Sequence, residues 1–457
     1  MSKRLARGPA LPARVLSVIV LAICGGACAR RAAPVPAQET PAARLPAASL
    51  PASTPGAAPD AAPAGGPQRD LNVLLITVDS LRADMPWAGY ARPIAPAMTA
   101  FAETAVTYSR FYSISSYTAM SLGGMLAGRY PSELDRSGHY FAHYPESVLF
   151  FPELLQQAGV RTLSAQSHFY FDQRSGFRQA FDVYEIVPGL DEDHQTDKNI
   201  TSPQQLELAL KMLSDKANVG GRFFAWFHFL DPHDKYQAHA GIHYGSTTRD
   251  LYDAEVTFTD QHIGKLLDFV NGESWGKRTA VVLSADHGEA FGEHNRFRHG
   301  FDLWDVLTHV PLMIRAPGLA PRHIDAPRSA VDLAPTILDL FGVPADPAME
   351  GTSLVPELYG KDGGARDVIL DLPRTTDSDR RRALLRGNYK LVALGDDEAF
   401  QLYDLEQDPR EEHDVQWLAP AKLAEMKAAY REKSAKMPSQ CPKVRMKLHG
   451  KKSYRPC

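Results

Sequence analysis

The chain has 457 residues, 44% of them hydrophobic and 23% charged, with a formal net charge of −4 at pH 7. That length can bury a large core in more than one structural unit, and without a dense basic stripe no nucleic-acid partner is indicated. The only cysteines are Cys24, Cys28, Cys441 and Cys457, which excludes a zinc–thiolate centre or a cysteine nucleophile from the body of the chain.

Residues 1–28 read as an export signal. MSKRLARGPALPAR is a basic leader, VLSVIVLAI is an apolar core too short to span a bilayer as a helix, and CGGACA supplies small residues for cleavage. Two cleavages compete. Gly25-Gly26-Ala27-Cys28 resembles a bacterial lipoprotein box, with Gly25 where Leu is usual, while Ala27-Cys28-Ala29 also fits ordinary secretion. The segment behind Cys28 argues for lipidation there. Residues 29–69 are rich in Ala and Pro with almost no large apolar side chains, so they cannot bury enough to fold and suit a tether between a lipid and a domain. The expectation is a cell-envelope protein, either a lipoprotein held to the membrane by its lipid or a periplasmic one. Ala29 is no Asp retention signal, and by resemblance to known lipoprotein sorting this implies the outer membrane.

From residue 70 the text changes character. LNVLLITVD is a continuous apolar run ending in an acid, the pattern of a buried parallel strand, and RFFAWFHFLD and RTAVVLSADHG repeat it. Between them lie helical patterns: PAMTAFAETA, SVLFFPELLQQAG, SPQQLELALKMLSD and DLYDAEVTFTDQHIGKLLDFV. HVPLMIRAPG adds a strand and AVDLAPTILDLFGV a helix. Strand alternating with helix predicts an α/β fold, its sheet covered by helices on both faces. In such sheets the polar residues at the carboxyl ends of strands converge on one crevice. Asp79, the 228–233 cluster and Asp286-His287 occupy those ends.

Singly, Asp79 reads as a strand-end or capping acid and SADHGE as a turn. Together in one crevice, two carboxylates and an imidazole make a site for one divalent cation, suited to Mn²⁺, Zn²⁺, Mg²⁺ or Ca²⁺ rather than a soft metal; the imidazole favours Mn²⁺ or Zn²⁺ over Ca²⁺. Thr118, followed by the glycine-containing run AMSLGGMLAG, begins a helix. Its hydroxyl is either a simple N-cap or a metal ligand whose lowered pKa makes it an alkoxide nucleophile. Helix amides aimed at the same spot would receive an anionic phosphate or sulfate.

On these residues, the chain from about 70 to 415 resembles the sulfatase family within the alkaline-phosphatase superfamily. The matching text is NVLLITVDSLRADM, TAMSLGGMLAGRYPSE, FHFLDPHDKY, SADHGEAFGEHNRFRHG, HVPLMIRAPG, VDLAPTILDLFGVP, GTSLVPEL and NYKLVALGDDEAFQLYDLEQDPREEHDV, in the family's order and spacing. The resemblance implies a mostly parallel central sheet with a metal at its strand ends, in a catalytic domain over 70–345. It further implies a smaller C-terminal α+β subdomain over 346–436, ending in the LYDLEQDP strand and turn, before a tail over 437–457. The activity implied is ester hydrolysis, phosphoric or sulfuric. By the same similarity His233 holds the anion's non-bridging oxygens or protonates the leaving group, and His299 stands where the family places a Lys or His near the anion.

The chain departs from that family at the nucleophile. True sulfatases carry Cys or Ser in C/S-x-P-x-R, later oxidised to formylglycine. Counting back from GRYP, that position falls on Thr118, with Met120 and Leu122 at the Pro and Arg positions, and neither Ser116 nor Ser121 is followed by P-x-R. Threonine cannot yield that aldehyde. Asp79 is followed by Ser80, where sulfatases have a second acid. Asp79, Thr118, Asp286 and His287 instead look like the metal set of phosphoethanolamine transferases and lipoteichoic-acid synthases, whose metal-bound threonine accepts a phosphoryl group. The implied chemistry is phosphoryl transfer from a small-molecule, lipid or glycan ester, as hydrolase or transferase. Sulfate-ester hydrolysis without formylglycine and a non-catalytic binding protein on this fold are the alternatives.

Other residues are weighed more briefly. His228 and Asp231 are candidates for a second metal, Glu293 and His294 read as loop structure, and DDEAFQLYDLEQDPREEHD reads as a solvated edge. In an oxidising compartment Cys441 and Cys457 either close a small loop or remain thiols.

Overall fold

The structure is a computed structural model that describes residues 70–437 except 140, 173–174, 191–199 and 376–377, together with the backbone of 445–448 and 451–454. The export signal, the tether, Cys28, Cys441 and Cys457 lie outside the described residues.

In chain order the strands of the first part are β1 (Asn72–Val78), β2 (Val106–Tyr112), β3 (Arg161–Gln166), β4 (Val183–Ile186), β5 (Phe223–Phe229) and β6 (Thr279–Ala285). A small hairpin of β7 (Ala290–Phe291) and β8 (Phe297–Arg298) comes next, then β9 (His309–Arg315), β10 (Arg322–Ile324) and β11 (Arg328–Ser329). The large sheet has the order β10-β2-β9-β6-β1-β5-β3-β4, with β11 also on β2. Its run from β6 to β4 is parallel, and β9 is antiparallel to both β2 and β6. The α/β sheet expected from the text is therefore the one that forms. β1, β5 and β6 are buried at every residue, which is why they read as unbroken apolar runs rather than as alternation.

The helices of this part are α1 (Pro96–Ala102), α2 (Thr118–Ala127), α3 (Phe151–Gln157), α4 (Ser202–Ser214), α5 (Lys216–Val219), α6 (Thr248–Gly272), α7 (Asp305–Thr308) and α8 (Leu333–Phe341). Helices α1, α4 and α6 pack as one group, and α2, α3 and α8 as another. Asp260 in α6 accepts the backbone N–H groups of Ala97 at 2.9 Å and Met98 at 2.8 Å, in the first turn of α1. Burial pushes its carboxyl up to about 6 despite those two donors. The folded chain thus keeps a proton there that the unfolded chain loses near its ordinary value of 3.8. The associated stability is fully present below that value and is lost as pH rises through about 6. Between pH 5 and 7 this group should lower the unfolding free energy by about 1 kcal/mol, and Asp260→Asn should remove that component. Urea unfolding of both chains at the two pH values checks it; an identical pH dependence would count against it.

After α9 (Val355–Leu358) comes an antiparallel sheet of β12 (Val368–Leu372), β13 (Arg381–Arg386), β14 (Tyr389–Leu394) and β15 (Ala399–Asp404), with α10 (Pro420–Ser434) packed on β13 and β14. A buried cluster fastens this sheet to the turn after α2. Asp371 accepts Ser132 N–H at 2.8 Å, Ser132 Oγ–H at 2.9 Å and Arg382 Nε–H at 3.0 Å. Asp371 and Arg382 are both fully buried, so the charges are paired and hydrogen-bonded as burial requires.

The acid-rich segment read as a solvated edge contains the edge strand of this sheet, and its acids are exposed or half-buried except Glu411. Within it Ala399–Asp404 is β15, and Glu411 is buried, 2.7 Å from the Nζ of fully buried Lys390 and accepting Asp305 N–H at 2.6 Å. A lysine buried in β14 requires a buried counter-charge, and Glu411 supplies it.

Candidate active site

Adjacent parallel strands in register deliver their following residues side by side. Val78 is the register partner of both Phe229 and Ala285, so Asp79 leaves the sheet between the segment carrying His233 and the pair Asp286-His287. Thr118 meets them from the start of α2. The N-cap of that helix is Tyr117, in extended conformation and without a side-chain cap bond. Thr118 is the first helical residue, and its Oγ1 lies 3.0 Å from His287 Nε2 and 3.4 Å from Asp79 Oδ2. The simple N-cap role is thereby excluded. The expectation of anion-binding helix amides narrows as well, because Met120 N–H and Ser121 N–H both donate to the Tyr117 carbonyl.

Asp79, Asp286 and His287 are buried, while Thr118 and His233 are partly exposed. Ser80 adopts a φ of 58°, and that left-handed turn, uncommon for a residue other than glycine, lets it serve both acids. Its Oγ–H donates to Asp79 Oδ1 at 2.9 Å and its N–H to Asp286 Oδ1 at 3.2 Å. His287 N–H adds a second bond to Asp286 Oδ1 at 2.9 Å. The Nδ1–H of His287 donates to the Gly288 carbonyl at 3.0 Å; a carbonyl can only accept, so Nε2 carries the lone pair. Burial, then the neighbouring His299, holds this imidazole well below its usual pKa and therefore neutral.

These groups present acceptors to one another. Asp286 Oδ2 makes no protein hydrogen bond and lies 3.3 Å from His287 Nε2. One ligand atom each from Asp79, Asp286 and His287 falls within a 4.8 Å span. Burial and the Asp79 charge push the Asp286 carboxyl well above its ordinary range. Asp79 is held low: burial opposes its charge, but His233, His228 and His287 outweigh it. Two buried carboxylates and an imidazole lone pair facing one another, with the Thr118 hydroxyl beside them, fit a hard or borderline divalent cation.

His233 and His299 border this centre. The Nδ1–H of His233 donates to the Asp234 carbonyl at 2.7 Å, and its ring centroid is 4.9 Å from that of His299. His299 stands 4.2 Å from the His287 ring and points Nδ1 at the Glu289 carboxylate, 3.2 and 3.3 Å away. Burial works against a charge on His299, and Glu289 outweighs it, so the pKa rises. Glu289 is itself held by Tyr236 Oη–H at 2.8 Å. Sequence reasoning missed Ser80, Glu289 and Tyr236 as supports of the site; the acid in DHGE, two residues beyond a ligand, was the one available signal.

The structure separates His228 from Asp231. Asp231 accepts Thr201 N–H at 2.6 Å, Thr201 Oγ1–H at 2.7 Å and Ser202 N–H at 2.7 Å, at the start of α4, whereas the His228 ring engages Thr77 and Asp79. The pair forms no second metal site. Among the described residues, the other grouping of potential ligands is Asp408, Glu412 and His413 in the surface loop after β15. Glu293 pairs with Arg82 at 2.8 Å, and His294 stacks on Trp304 with centroids 3.9 Å apart, which makes both structural.

Residues 71–343 match the family model described as Sulfatase, and residues 292–439 match one described as N-sulphoglucosamine sulphohydrolase, C-terminal. Choline-sulfatase of Rhizobium meliloti is 25% identical over 420 residues, covering 74% of this chain and 81% of that protein. Arylsulfatase K of Xenopus laevis is 30% identical over 213 residues, which span 44% of this chain and 39% of that protein. A phosphonate monoester hydrolase from Silicibacter pomeroyi superposes with a TM-score of 0.68 at 20% identity, over 84% of this chain and 99% of that one. A 2-O GAG sulfatase gives 0.68 at 19% identity, over 80% and 92%. At these identities the structural likeness shows the fold.

Proposed function

The chain belongs to the sulfatase family of the alkaline-phosphatase superfamily, a family of ester hydrolases, and from that membership we propose a metal-dependent hydrolase or transferase of phosphate mono- or diesters with Thr118 as nucleophile. The observation that supports this finer reading is the placement of the Thr118 hydroxyl. It stands where the sequence resemblance puts the family nucleophile, at the head of a helix, performs no capping, and lies within 3.4 Å of acceptors on Asp79 and His287.

Asp79, Asp286, His287 and Thr118 would hold one divalent cation, Mn²⁺ or Zn²⁺ on the chemistry of the set. When bound, such an ion neutralises charge and lowers the pKa of an alcohol it touches. Thr118 Oγ1, its proton passed to solvent, attacks phosphorus in line; the Oγ1–P bond forms as the bond to the leaving oxygen breaks. His233, with Nδ1–H committed to Asp234, gives that oxygen the Nε2 proton of its imidazolium form and is left neutral, and His299 holds the non-bridging oxygens. Water or an acceptor alcohol then displaces Thr118, which recovers its proton. The substrate is a small-molecule, lipid or glycan ester.

A second reading, sulfate-ester hydrolysis without formylglycine, is favoured by the match to choline-sulfatase over most of that protein's length. Purified protein given aryl phosphate monoesters, aryl phosphate diesters and aryl sulfates separates the two. Turnover of phosphate esters is expected; turnover of aryl sulfate alone would overturn the phosphoryl-transfer reading.

For address we propose export through residues 1–28 and a lipid anchor on Cys28, with 29–69 as tether, 70–345 as catalytic domain, 346–436 as subdomain and 437–457 as tail. The support is the signal text and the Ala/Pro-rich segment behind it. Among the described residues no helix is long and apolar enough to cross a membrane. The mature protein is expected to partition into detergent and to begin with a modified Cys28. A soluble mature protein beginning at Arg30 would show ordinary secretion instead.

A further inference from the structure

We infer that His228 is a positioning residue for Asp79, held in one tautomer by a buried hydrogen-bond chain that runs from Trp226 through Thr77. The inference rests on the cation centre proposed above and assigns a purpose to three buried groups that the reaction itself does not use.

The chain is built by strand geometry. Thr77 in β1 and His228 in β5 are register partners on adjacent parallel strands. Trp226 lies two residues before His228, so the period of two puts its side chain on the same face of the sheet. The indole Nε1–H of Trp226 lies 2.8 Å from Thr77 Oγ1, and an indole nitrogen can only donate. Thr77 therefore accepts from Trp226, and its own hydrogen goes to His228 Nδ1 at 2.8 Å, the acceptor within its reach among the described residues. A neutral imidazole that accepts at Nδ1 carries its hydrogen on Nε2, and Nε2 lies 3.3 Å from Asp79 Oδ2. Ionised Asp79 accepts only, so both ends of the chain demand the same tautomer.

Trp226, Thr77 and His228 are fully buried and Asp79 nearly so, and Phe171 and the His228 ring pack edge-to-face with centroids 5.3 Å apart. With both nitrogens committed, His228 is a donor to a carboxylate rather than a metal ligand. Ser80 holds Asp79 Oδ1 while His228 holds Oδ2. The carboxylate is thereby fixed before any cation arrives, the arrangement by which outer hydrogen bonds tune metal affinity.

The test is the affinity of metal-stripped full-length protein for Mn²⁺ and Zn²⁺, measured by calorimetric titration. His228→Leu, which removes both nitrogens, should weaken binding by about 10–100-fold, and His228→Gln, which restores an N–H near the Nε2 position, should recover most of that loss. Thr77→Val should weaken binding in the wild-type background and have no further effect in His228→Leu, a non-additivity that a merely structural role would not produce. Should His228→Leu not fold, the Thr77→Val and His228→Gln comparisons carry the test alone. Wild-type affinity in His228→Leu, or in Thr77→Val, would overturn the positioning role while leaving the cation centre intact. A wild-type protein that binds neither ion would overturn the centre and this inference with it.

Discussion

Thr118→Ala is expected to lower the turnover of a phosphate diester by ~10³-fold or more. The substitution removes the one hydroxyl that faces Asp79 and His287 from the head of α2, and with it the atom that would form the covalent intermediate. The fold should be unaffected. Thr118 makes no capping bond, its side chain is only partly buried, and alanine suits the first turn of a helix. Substrate binding should fall much less than turnover, since His233 and His299 remain in place. Thr118→Ser should keep part of the activity, because a primary alkoxide can make the same attack. Thr118→Cys should not create a sulfatase, because Met120 and Leu122 stand at the Pro and Arg positions of C/S-x-P-x-R. Steady-state kinetics on these three variants, with KM and kcat separated, check the expectation; undiminished kcat in Thr118→Ala would refute it.

Asp286→Asn is expected to abolish stoichiometric metal and activity together. The amide oxygen can still accept Ser80 N–H and His287 N–H as Oδ1 does now, so the loop has reason to keep its shape. At the Oδ2 position, however, the variant places an amide N–H beside His287 Nε2, converting an acceptor facing the cation into a donor facing a lone pair. The charge that Asp79 and Asp286 would jointly offer a divalent ion is also halved. Elemental analysis of purified wild-type and variant protein should show one divalent ion per chain in the first and none in the second. Stoichiometric metal in Asp286→Asn would remove this residue from the ligand set.

What could be read from the text was whatever has a local signature. β1, β5 and β6 announced themselves as unbroken apolar runs because both faces of the sheet are covered, and the rule that strand ends converge then brought Asp79, His233 and Asp286-His287 to one place. β2 was not read, because Val106–Tyr112 mixes Ser109 and Arg110 into an apolar frame and its register with β9 shifts between Tyr108 and Phe111. The supports of the site were the least visible. Glu289 serves His299 across the β7–β8 hairpin, and Tyr236 meets Glu289 from a separate segment. Ser80 links two acids from distant parts of the chain through a left-handed φ that no period predicts. Glu411 reads as part of a solvated edge, since its buried ion pair with Lys390 leaves no trace in hydropathy when the two lie on different segments. The first ligands were legible as residue types at strand ends, and the hydrogen bonds that orient them were not, because those are long-range pairings between single polar groups.

The central claim is that Thr118 carries the substrate's phosphoryl group during the reaction, and mass spectrometry of protein quenched during turnover of an aryl phosphate diester tests it most directly. The account predicts an adduct equal in mass to the phosphoryl half retained after one alcohol has left, mapping to Thr118 and absent from Thr118→Ala. An aldehyde at any residue of 113–133 accompanied by aryl sulfate turnover, or full phosphodiester turnover by Thr118→Ala with no adduct in either protein, would contradict it.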